Sequence, residues 1–399
     1  MIQMERREAV CASPLTHTPE CDAVNRTRPF IRRPWLIVPL ATLIYTLIVV
    51  STQGSPLALV TLGTRFSDGD LQGETGTEGY DGQFVYYIAR DPGDAERFLD
   101  VPAYRFQRIL LPILGRVLAF GQNDLLPWSL LLVNLVALAA GTYTLEHLLE
   151  QYGTSRWYAL GYGLSLPALG AARLSLPEPL AYALALGGVA LAFEKRVLWS
   201  AVFFVLAAFA KETTLIMAAG IGLWLLWRRQ WLQALLFALI SLIPFGLWQI
   251  ALAQRFGSVG VGSGGAMATP FEIIPFAGIF RIWFEGSFSV FLAFGLILLP
   301  FVVLPTVWGL ARVARDFTLR RVGITTLLLL TTAGIMLFVP FSTYREPLGI
   351  LRFIAGLQLA AILYAAQHRD RRILMYSTFW ALTSLFVIVA DIAAGVKAI

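Results

Sequence analysis

The sequence is poor in charge and nearly free of cysteine. Only 14% of its 399 residues are charged, whereas 57% are hydrophobic. A soluble domain carries more charge than this, so the composition argues against a soluble globular enzyme and predicts a protein dissolved in a bilayer. The two cysteines, Cys11 and Cys21, both lie in the polar N-terminal tail. They predict no disulfide framework for the remainder of the chain.

Long apolar segments predict the fold class, an all-α, polytopic transmembrane helical bundle. Because hydrocarbon offers no hydrogen bonds to the backbone, apolar runs of about 20 residues form helices there. A further apolar stretch, 106–120, is shorter and contains two arginines, which predicts an interfacial or re-entrant helix. The sequence contains eleven candidate spans, at residues 35–53, 125–146, 156–172, 177–193, 197–211, 212–227, 231–252, 288–311, 322–340, 350–366 and 373–394.

The basic residues predict the orientation of the bundle. With the N-terminus in the cytoplasm, alternation of the spans places 18 of the 31 Lys and Arg residues, but only nine of the 25 acids, on the cytoplasmic side. We therefore expect a disordered cytoplasmic tail (1–34), a first span with a large outer loop containing interfacial helices (35–124), and a transmembrane bundle (125–399). This topology accounts for the net charge of +6 without nucleic acid as a partner.

The predicted outer loop contains a glycine-flanked acid, Asp81, within Gly-Tyr-Asp-Gly-Gln-Phe at 79–84. The glycines permit a tight turn or close approach of a substrate, and the aromatic residues that follow predict an interfacial helix. Asp81 is therefore either a catalytic carboxylate or the N-cap of that helix, and the two roles are compatible. Asp68 and Asp70 are alternative carboxylates in this loop, either holding a divalent cation or forming a plain turn.

Cations at the same predicted face favour a phosphate ligand. Arg105 and Arg108 are three residues apart on one predicted helical face, either as forked phosphate ligands or as interfacial anchors. Lys211 and Glu212 interrupt an apolar hairpin. They form either a structural ion pair or a site in which the lysine lies beside a lipid phosphate.

Further candidates lie near the same predicted outer face. Arg345 and Arg352 are seven residues apart, which predicts nearly the same helical face at the mouth of the tenth span. The glycine-rich stretch 257–265 lacks the strand and helix of a nucleotide-binding turn and predicts a flexible loop or lid. The supporting positions are Tyr80, Gln83, Tyr104, Arg173, Glu178, Glu212 and Glu346.

Four short motifs together carry a family resemblance. They are the stretch at 79–84, Tyr-Arg-Phe-Gln-Arg-Ile-Leu-Leu-Pro at 104–112, Lys-Glu-Thr at 211–213 and Arg-Glu-Pro at 345–347. In these the chain resembles the GT-C superfamily of membrane glycosyltransferases, particularly bacterial proteins of cell-surface glycopolymer assembly with a Tyr-Asp-Gly-Gln-Phe motif. The resemblance covers most of the membrane region. It implies a bacterial plasma-membrane protein with its active site outside the cytoplasm.

The resemblance also implies a chemistry. The donor is a polyprenyl-phosphate sugar, the acceptor is a glycan or lipid, and a first-loop carboxylate, mapped to Asp81, is the general base of an inverting displacement. The loop lacks an adjacent pair of acids, so Asp68 and Asp70 stay alternatives. No cofactor is firmly implied, and a divalent cation stays open. Candidates to bind the leaving lipid phosphate are Arg105, Arg108, Lys211, Arg345 and Arg352.

Three other functions compete with this interpretation. A flippase or transporter of lipid-linked glycans gathers charges near the bilayer midplane, whereas these lie at one predicted face. A polymerase or ligase of the O-antigen type is expected to rely on outer arginines more than on a carboxylate. A purely structural scaffold gives no reason for the costly insertion at Lys211 and Glu212.

Overall fold

The computed structural model describes residues 33–66 and 76–398, which form helices and no β-strand. The predicted all-α class is thereby confirmed for this part of the chain, while the predicted tail lies almost wholly outside it. Several of these helices are long and apolar enough to cross a membrane, which indicates a membrane-embedded protein. Five satisfy that test alone: Pro34–Gln53, Asn123–Gln151, Trp231–Phe256, Phe288–Thr318 and Arg371–Gly395. A pair bent by 42°, Pro347–Phe353 with Ala355–Gln367, makes a sixth.

The longer α-helices overlap the predicted apolar segments. In chain order they are α1 (Pro34–Gln53), α2 (Gly82–Arg90), α3 (Pro102–Phe106), α4 (Leu110–Leu118), α5 (Leu126–Gln151), α6 (Ala159–Gly163), α7 (Ala171–Arg173), α8 (Glu178–Phe193), α9 (Val197–Ala210), α10 (Leu215–Trp227), α11 (Trp231–Phe256), α12 (Ala277–Glu285), α13 (Phe288–Leu298), α14 (Leu304–Thr318), α15 (Ile324–Met336), α16 (Phe341–Tyr344), α17 (Pro347–Phe353), α18 (Ala355–Gln367), α19 (Arg371–Ser377) and α20 (Leu385–Ala398).

Short helical segments of other types connect them. The 3-10 segments are Pro56–Leu59, Thr64–Phe66, Ala95–Phe98, Asn123–Leu125, Arg156–Tyr158, Glu212–Thr214 and Thr378–Ser384, and the π-helical segments are Leu166–Gly170 and Leu299–Val303.

The predicted span 156–172 is not one continuous helix. It consists of a 3-10 turn, α6, the π-helical segment Leu166–Gly170 and α7. Pro167 lies at the start of the π-helical segment and lacks the N–H that a regular α-helix needs, which accounts for the break. The stretch 106–120 is likewise divided, and α4 has only nine residues, too few to cross a bilayer.

The centre of the bundle is built from both parallel and antiparallel helix pairs. Helix α8 packs against α5 and α9, α9 packs against α11, and α10 packs against α15. Ionisable residues predicted to be cytoplasmic contact one another at one end, where Arg33 Nη1 lies 2.7 Å from Glu146 Oε1 and Arg312 Nη2 lies 3.0 Å from Asp370 Oδ2. A different set of charges meets at the opposite ends of α8, α9 and α10, and this second set forms the candidate site.

Two glycines position α2. Gly79 has a φ of +68°, a left-handed conformation that other residues adopt at a cost. Gly82 begins α2 directly against the backbone that follows α7, since a Cβ atom at Gly82 would lie 2.1 Å from the carbonyl oxygen of Leu174. The flanking glycines thus provide both the turn and the close approach, and the approach is to the protein's own backbone.

The contact at Gly82 predicts a strong response to one added methyl group. Gly82→Ala is expected to displace α2 from Leu174 and to lower the free energy of unfolding by roughly 1–3 kcal/mol, as overpacking of a filled site does. Thermal unfolding of purified protein in detergent measures this. Gly222→Ala is the control, because no atom lies within 4 Å of a Cβ built there. Equal unfolding temperatures for the two variants would contradict the predicted contact.

Candidate active site

A narrow cleft lies beside the N-terminus of α2. One part of its wall is charged and the remainder is apolar, a combination that suits a ligand with an ionic group on an apolar chain. The charged wall is formed by Asp81, Arg105, Arg108 and Arg352, and the apolar wall by Phe84, Val85, Ile88, Pro112, Leu176 and Pro177.

Asp81 lies between two arginines. Its Oδ1 accepts a hydrogen bond from Arg105 Nη1 at 2.9 Å, and its Oδ2 accepts one from Arg352 Nη2 at 3.0 Å. Asp81 does occupy the N-cap position of α2, but its side chain makes no capping hydrogen bond within the described chain. The capping alternative is therefore wrong for the side chain. Although burial acts to raise the pKa of Asp81, Arg105, Arg352 and Arg108 hold that pKa well below its usual range.

Arg105 is fixed by a second carboxylate, Asp100. Arg105 Nε donates to Asp100 Oδ1 at 2.7 Å and Nη2 donates to Oδ2 at 2.8 Å, a bidentate pair. The guanidinium also lies 4.1 Å from the centroid of the Phe84 ring. Asp100 is not among the residues that the sequence predicts for the site. An acid five residues before a candidate arginine, just ahead of Val101 and the helix-starting Pro102, was the available signal.

Lys211 and Glu212 do not form the expected pair with each other. Lys211 Nζ donates to Glu178 Oε1 at 2.6 Å, while Glu212 accepts two hydrogen bonds from Arg108, at 2.9 and 2.7 Å. Lys211 has an extended backbone between α9 and the 3-10 turn, so the side chains of Lys211 and Glu212 point in different directions and reach different partners. Arg108 Nη2 also donates to the hydroxyl of Tyr104 at 2.7 Å.

Glu178 links Lys211 to Arg352, and the Arg108–Glu212 pair lies beside them at the same cleft. Glu178 is fully buried, and its Oε1 accepts from Lys211 and, at 3.3 Å, from Arg352 Nη1. Because Arg352 also binds Asp81, the contacts run from the cleft into the protein interior. The charge network consists of Asp81, Asp100, Glu178 and Glu212 with Arg105, Arg108, Lys211 and Arg352, and a further acid, Glu346, lies 3.8 Å from Arg352 Nη2.

Three supporting residues hold the surroundings of Asp81. The Tyr80 hydroxyl donates to Glu346 Oε1 at 3.4 Å, and the Arg352 guanidinium lies 5.1 Å from the Tyr80 ring centroid. Gln83 is buried, accepting from Gly63 N at 3.0 Å and donating to the Glu78 carbonyl at 2.6 Å. Gln83 therefore fastens the loop around Asp81 and does not line the cleft.

Arg345 and Arg173 lie away from the cleft. Arg345 is exposed, with its guanidinium 5.4 Å from the Phe341 ring centroid. The expected shared face with Arg352 is wrong, because α16 ends before Arg345 and α17 begins after it. Arg173 instead binds Asp391 through Nε at 2.7 Å. Asp391 is an acid inside the last predicted apolar segment. Because a buried charge is costly there, its presence in the sequence was a signal for this pairing.

Asp68 and Asp70 lie outside the described residues, so their role stays a prediction. Among residues 33–66 and 76–398, no group of three or more His, Cys, Asp or Glu side chains is placed to hold a metal ion.

The glycine-rich stretch lies against Asp100 and Arg105 of the charge network. A Cβ atom at Gly265 would lie 3.3 Å from Asp100 Oδ2 and 3.4 Å from Arg105 Nη2, and a Cβ at Gly260 would lie 2.6 Å from the Ala103 carbonyl oxygen. Beyond the glycines, Thr269 N donates to Ser342 Oγ at 3.0 Å. The stretch therefore covers Arg105 and is held by polar contacts at its far end, in the position that a lid would take.

The chemical capacity of the site follows from this geometry. A carboxylate able to accept a proton lies between guanidiniums able to bind an anion, and apolar walls continue from them. Comparison of the chain with protein-family models, with curated proteins and with solved structures finds no match.

Proposed function

We propose that this protein is a membrane glycosyltransferase of GT-C type that transfers a sugar from a polyprenyl-phosphate donor to a glycan or lipid acceptor. The observation that carries the proposal is the position of Asp81 between Arg105 and Arg352 at the mouth of a cleft with apolar walls. A hydroxyl acceptor needs a base, and a departing lipid phosphate needs cations. Both kinds of group are present within one cleft.

In the proposed reaction the acceptor oxygen attacks the anomeric carbon and its proton passes to Asp81. The bond from that carbon to the phosphate oxygen breaks, and its electron pair stays on the lipid phosphate. Arg105, Arg108 and Arg352 line the cleft and take the phosphate charge, an electrostatic contribution of roughly 2.7–4 kcal/mol for a well-placed donor. Lys211 acts behind them by fixing Glu178, and Arg345 has no part in this proposal.

The same proposal includes eleven spans with the cleft on the outer face of a bacterial plasma membrane. One observation supports this topology. Charged residues predicted at the outer ends of spans contact one another in the charge network, whereas charged residues predicted to be cytoplasmic pair at the opposite end of the bundle. The six long spans and the four shorter apolar helices, Glu178–Phe193, Val197–Ala210, Glu212–Trp227 and Ile324–Met336, make ten, and the interrupted segment 156–172 is the eleventh span of this proposal. The charges lie at helix ends, which favours an enzyme over a transporter with a midplane site.

The test of the function is turnover of a lipid-linked sugar. Purified full-length protein in proteoliposomes is incubated with a panel of polyprenyl-phosphate sugars and a membrane extract as source of acceptor. We expect release of free polyprenyl phosphate together with a glycosylated product. Appearance of the intact donor in the opposite leaflet without its consumption would instead support a flippase.

A further inference from the structure

The two arginines that bind Asp81 are each held by other partners. Arg105 uses Nε and Nη2 for Asp100, which leaves Nη1 for Asp81. Arg352 donates from Nη1 to Glu178 and from Nε to the Leu348 carbonyl, at 3.1 Å, which leaves Nη2 for Asp81. Both guanidiniums therefore keep their positions if the Asp81 side chain moves away.

Asp81 is the carboxylate of the charge network best able to move. Its side chain is 28% exposed, compared with 12% for Asp100, 18% for Glu212 and none for Glu178. It begins a helix without capping it, so a side-chain rotation breaks no backbone contact of α2 within the described residues. The hydrogen bonds that Asp81 would give up are the two from the arginines.

A carboxylate in this position is a weak base. Paired guanidiniums stabilise its ionised form, and a base whose pKa lies far below the working pH contributes little to proton abstraction. Neighbouring tyrosines do not offer a substitute, because burial raises the pKa of Tyr80 and of Tyr104. The charged and titratable groups that surround Asp81 are Arg105, Arg108, Asp100 and Tyr104 from the segment 100–108, Arg352 and Glu346 beside α17, Tyr80, Glu178, and Lys211 and Glu212.

We propose that the phosphate of the lipid donor takes over Nη1 of Arg105 and Nη2 of Arg352, and that this exchange releases Asp81 toward the acceptor. The inference rests on the proposed glycosyltransferase function and adds a mechanism of activation. A phosphate oxygen and a carboxylate oxygen compete for the same two N–H groups, so the base is free only while a donor occupies the cleft.

The exchange forms one part of a catalytic cycle in which the total charge of the site is conserved during sugar transfer. The donor enters as a phosphodiester with one negative charge. During transfer Asp81 gains the acceptor proton, and the lipid phosphate gains the electron pair of the broken bond, so the total charge of the site is unchanged. After the lipid phosphate departs, Asp81 gives its proton to water and returns to the arginines. Without a donor, the base stays paired with the two arginines.

Infrared difference spectroscopy of the full-length protein tests the exchange directly. Spectra are recorded at about pH 4.5, where an unperturbed aspartate is partly protonated. The ligands are a polyprenyl phosphate, the matching polyprenol, and inorganic phosphate. We expect the polyprenyl phosphate to produce a protonated-carboxyl band that the polyprenol does not produce. The band should be missing in Asp81→Asn and present in Glu272→Gln, which alters a carboxylate paired with Arg281 outside the cleft.

The outcomes separate the two proposals. Transfer activity and saturable binding of polyprenyl phosphate, without an Asp81 band, would overturn the exchange and leave the glycosyltransferase function intact. No binding and no transfer would overturn both. A band with inorganic phosphate alone would support the exchange and show that the phosphate, and not the chain, drives it. Kinetics provide a second measure: the acid limb of kcat, which reports the complex, should lie at higher pH than that of kcat/KM for the donor.

Discussion

Asp81→Asn is expected to abolish sugar transfer while the protein stays folded. Asparagine keeps the shape of the side chain and still accepts one hydrogen bond from an arginine, but it cannot take up the acceptor proton. Loss of a general base lowers kcat by about 10²–10⁴-fold. Release of polyprenyl phosphate from the donor, measured with and without acceptor, gives the rate.

The matched control for this variant is Asp94→Asn. Asp94 lies in the same predicted outer loop, but its side chain is 45% exposed and pairs only locally with Arg97, three residues further on. We expect this variant to keep the rate of the unmodified protein. Undiminished turnover in Asp81→Asn, with correct membrane insertion, would remove Asp81 as the base and return attention to Asp68 and Asp70.

Lys211→Met is expected to cause the largest loss of stability. It leaves Glu178, whose side chain is fully buried, without its closest cation, which lies 2.6 Å away. Breaking a buried ion pair by removal of one partner costs roughly 3–5 kcal/mol, because the surviving charge is left poorly compensated. The unfolding temperature in detergent should fall accordingly.

A double variant distinguishes loss of charge compensation from loss of packing. Lys211→Met combined with Glu178→Gln removes both charges, and the amide oxygen of glutamine can still accept from Arg352. We expect the double variant to be more stable than Lys211→Met alone. Arg97→Met is the surface control, since an exposed pair contributes about 0–1 kcal/mol. If Lys211→Met and Arg97→Met unfolded at the same temperature, the pair would not stabilise the bundle.

Much of the site could be predicted from the cost of placing charge beside apolar segments. That cost singled out Asp81, Arg105, Arg108 and Arg352, which the structure brings to one cleft. The individual pairings could not be predicted in this way. Lys211 and Glu212 are neighbours in sequence, yet they bind residues 33 and 104 positions away, because helix packing decides which side chains meet.

The fold, like the site, could be predicted only in part. Apolar length predicted the helical class and the bounds of α1, α8 and α11 within a few residues. It did not predict the π-helical break around Pro167, because hydropathy averages over the residues that interrupt a helix. Asp100 was missed for a related reason: an acid in a polar loop resembles an ordinary turn residue until its partner, Arg105, is known.

The shortness of the helices behind the cleft has a consequence for the surrounding lipid. Helices α8, α9 and α10 have 16, 14 and 13 residues. At 1.5 Å per residue they extend about 20–24 Å, less than the hydrocarbon thickness of about 30 Å. We expect a bilayer that matches these helices to become thinner there. Thinning beside the cleft would bring the lipid head groups toward the depth of the arginines.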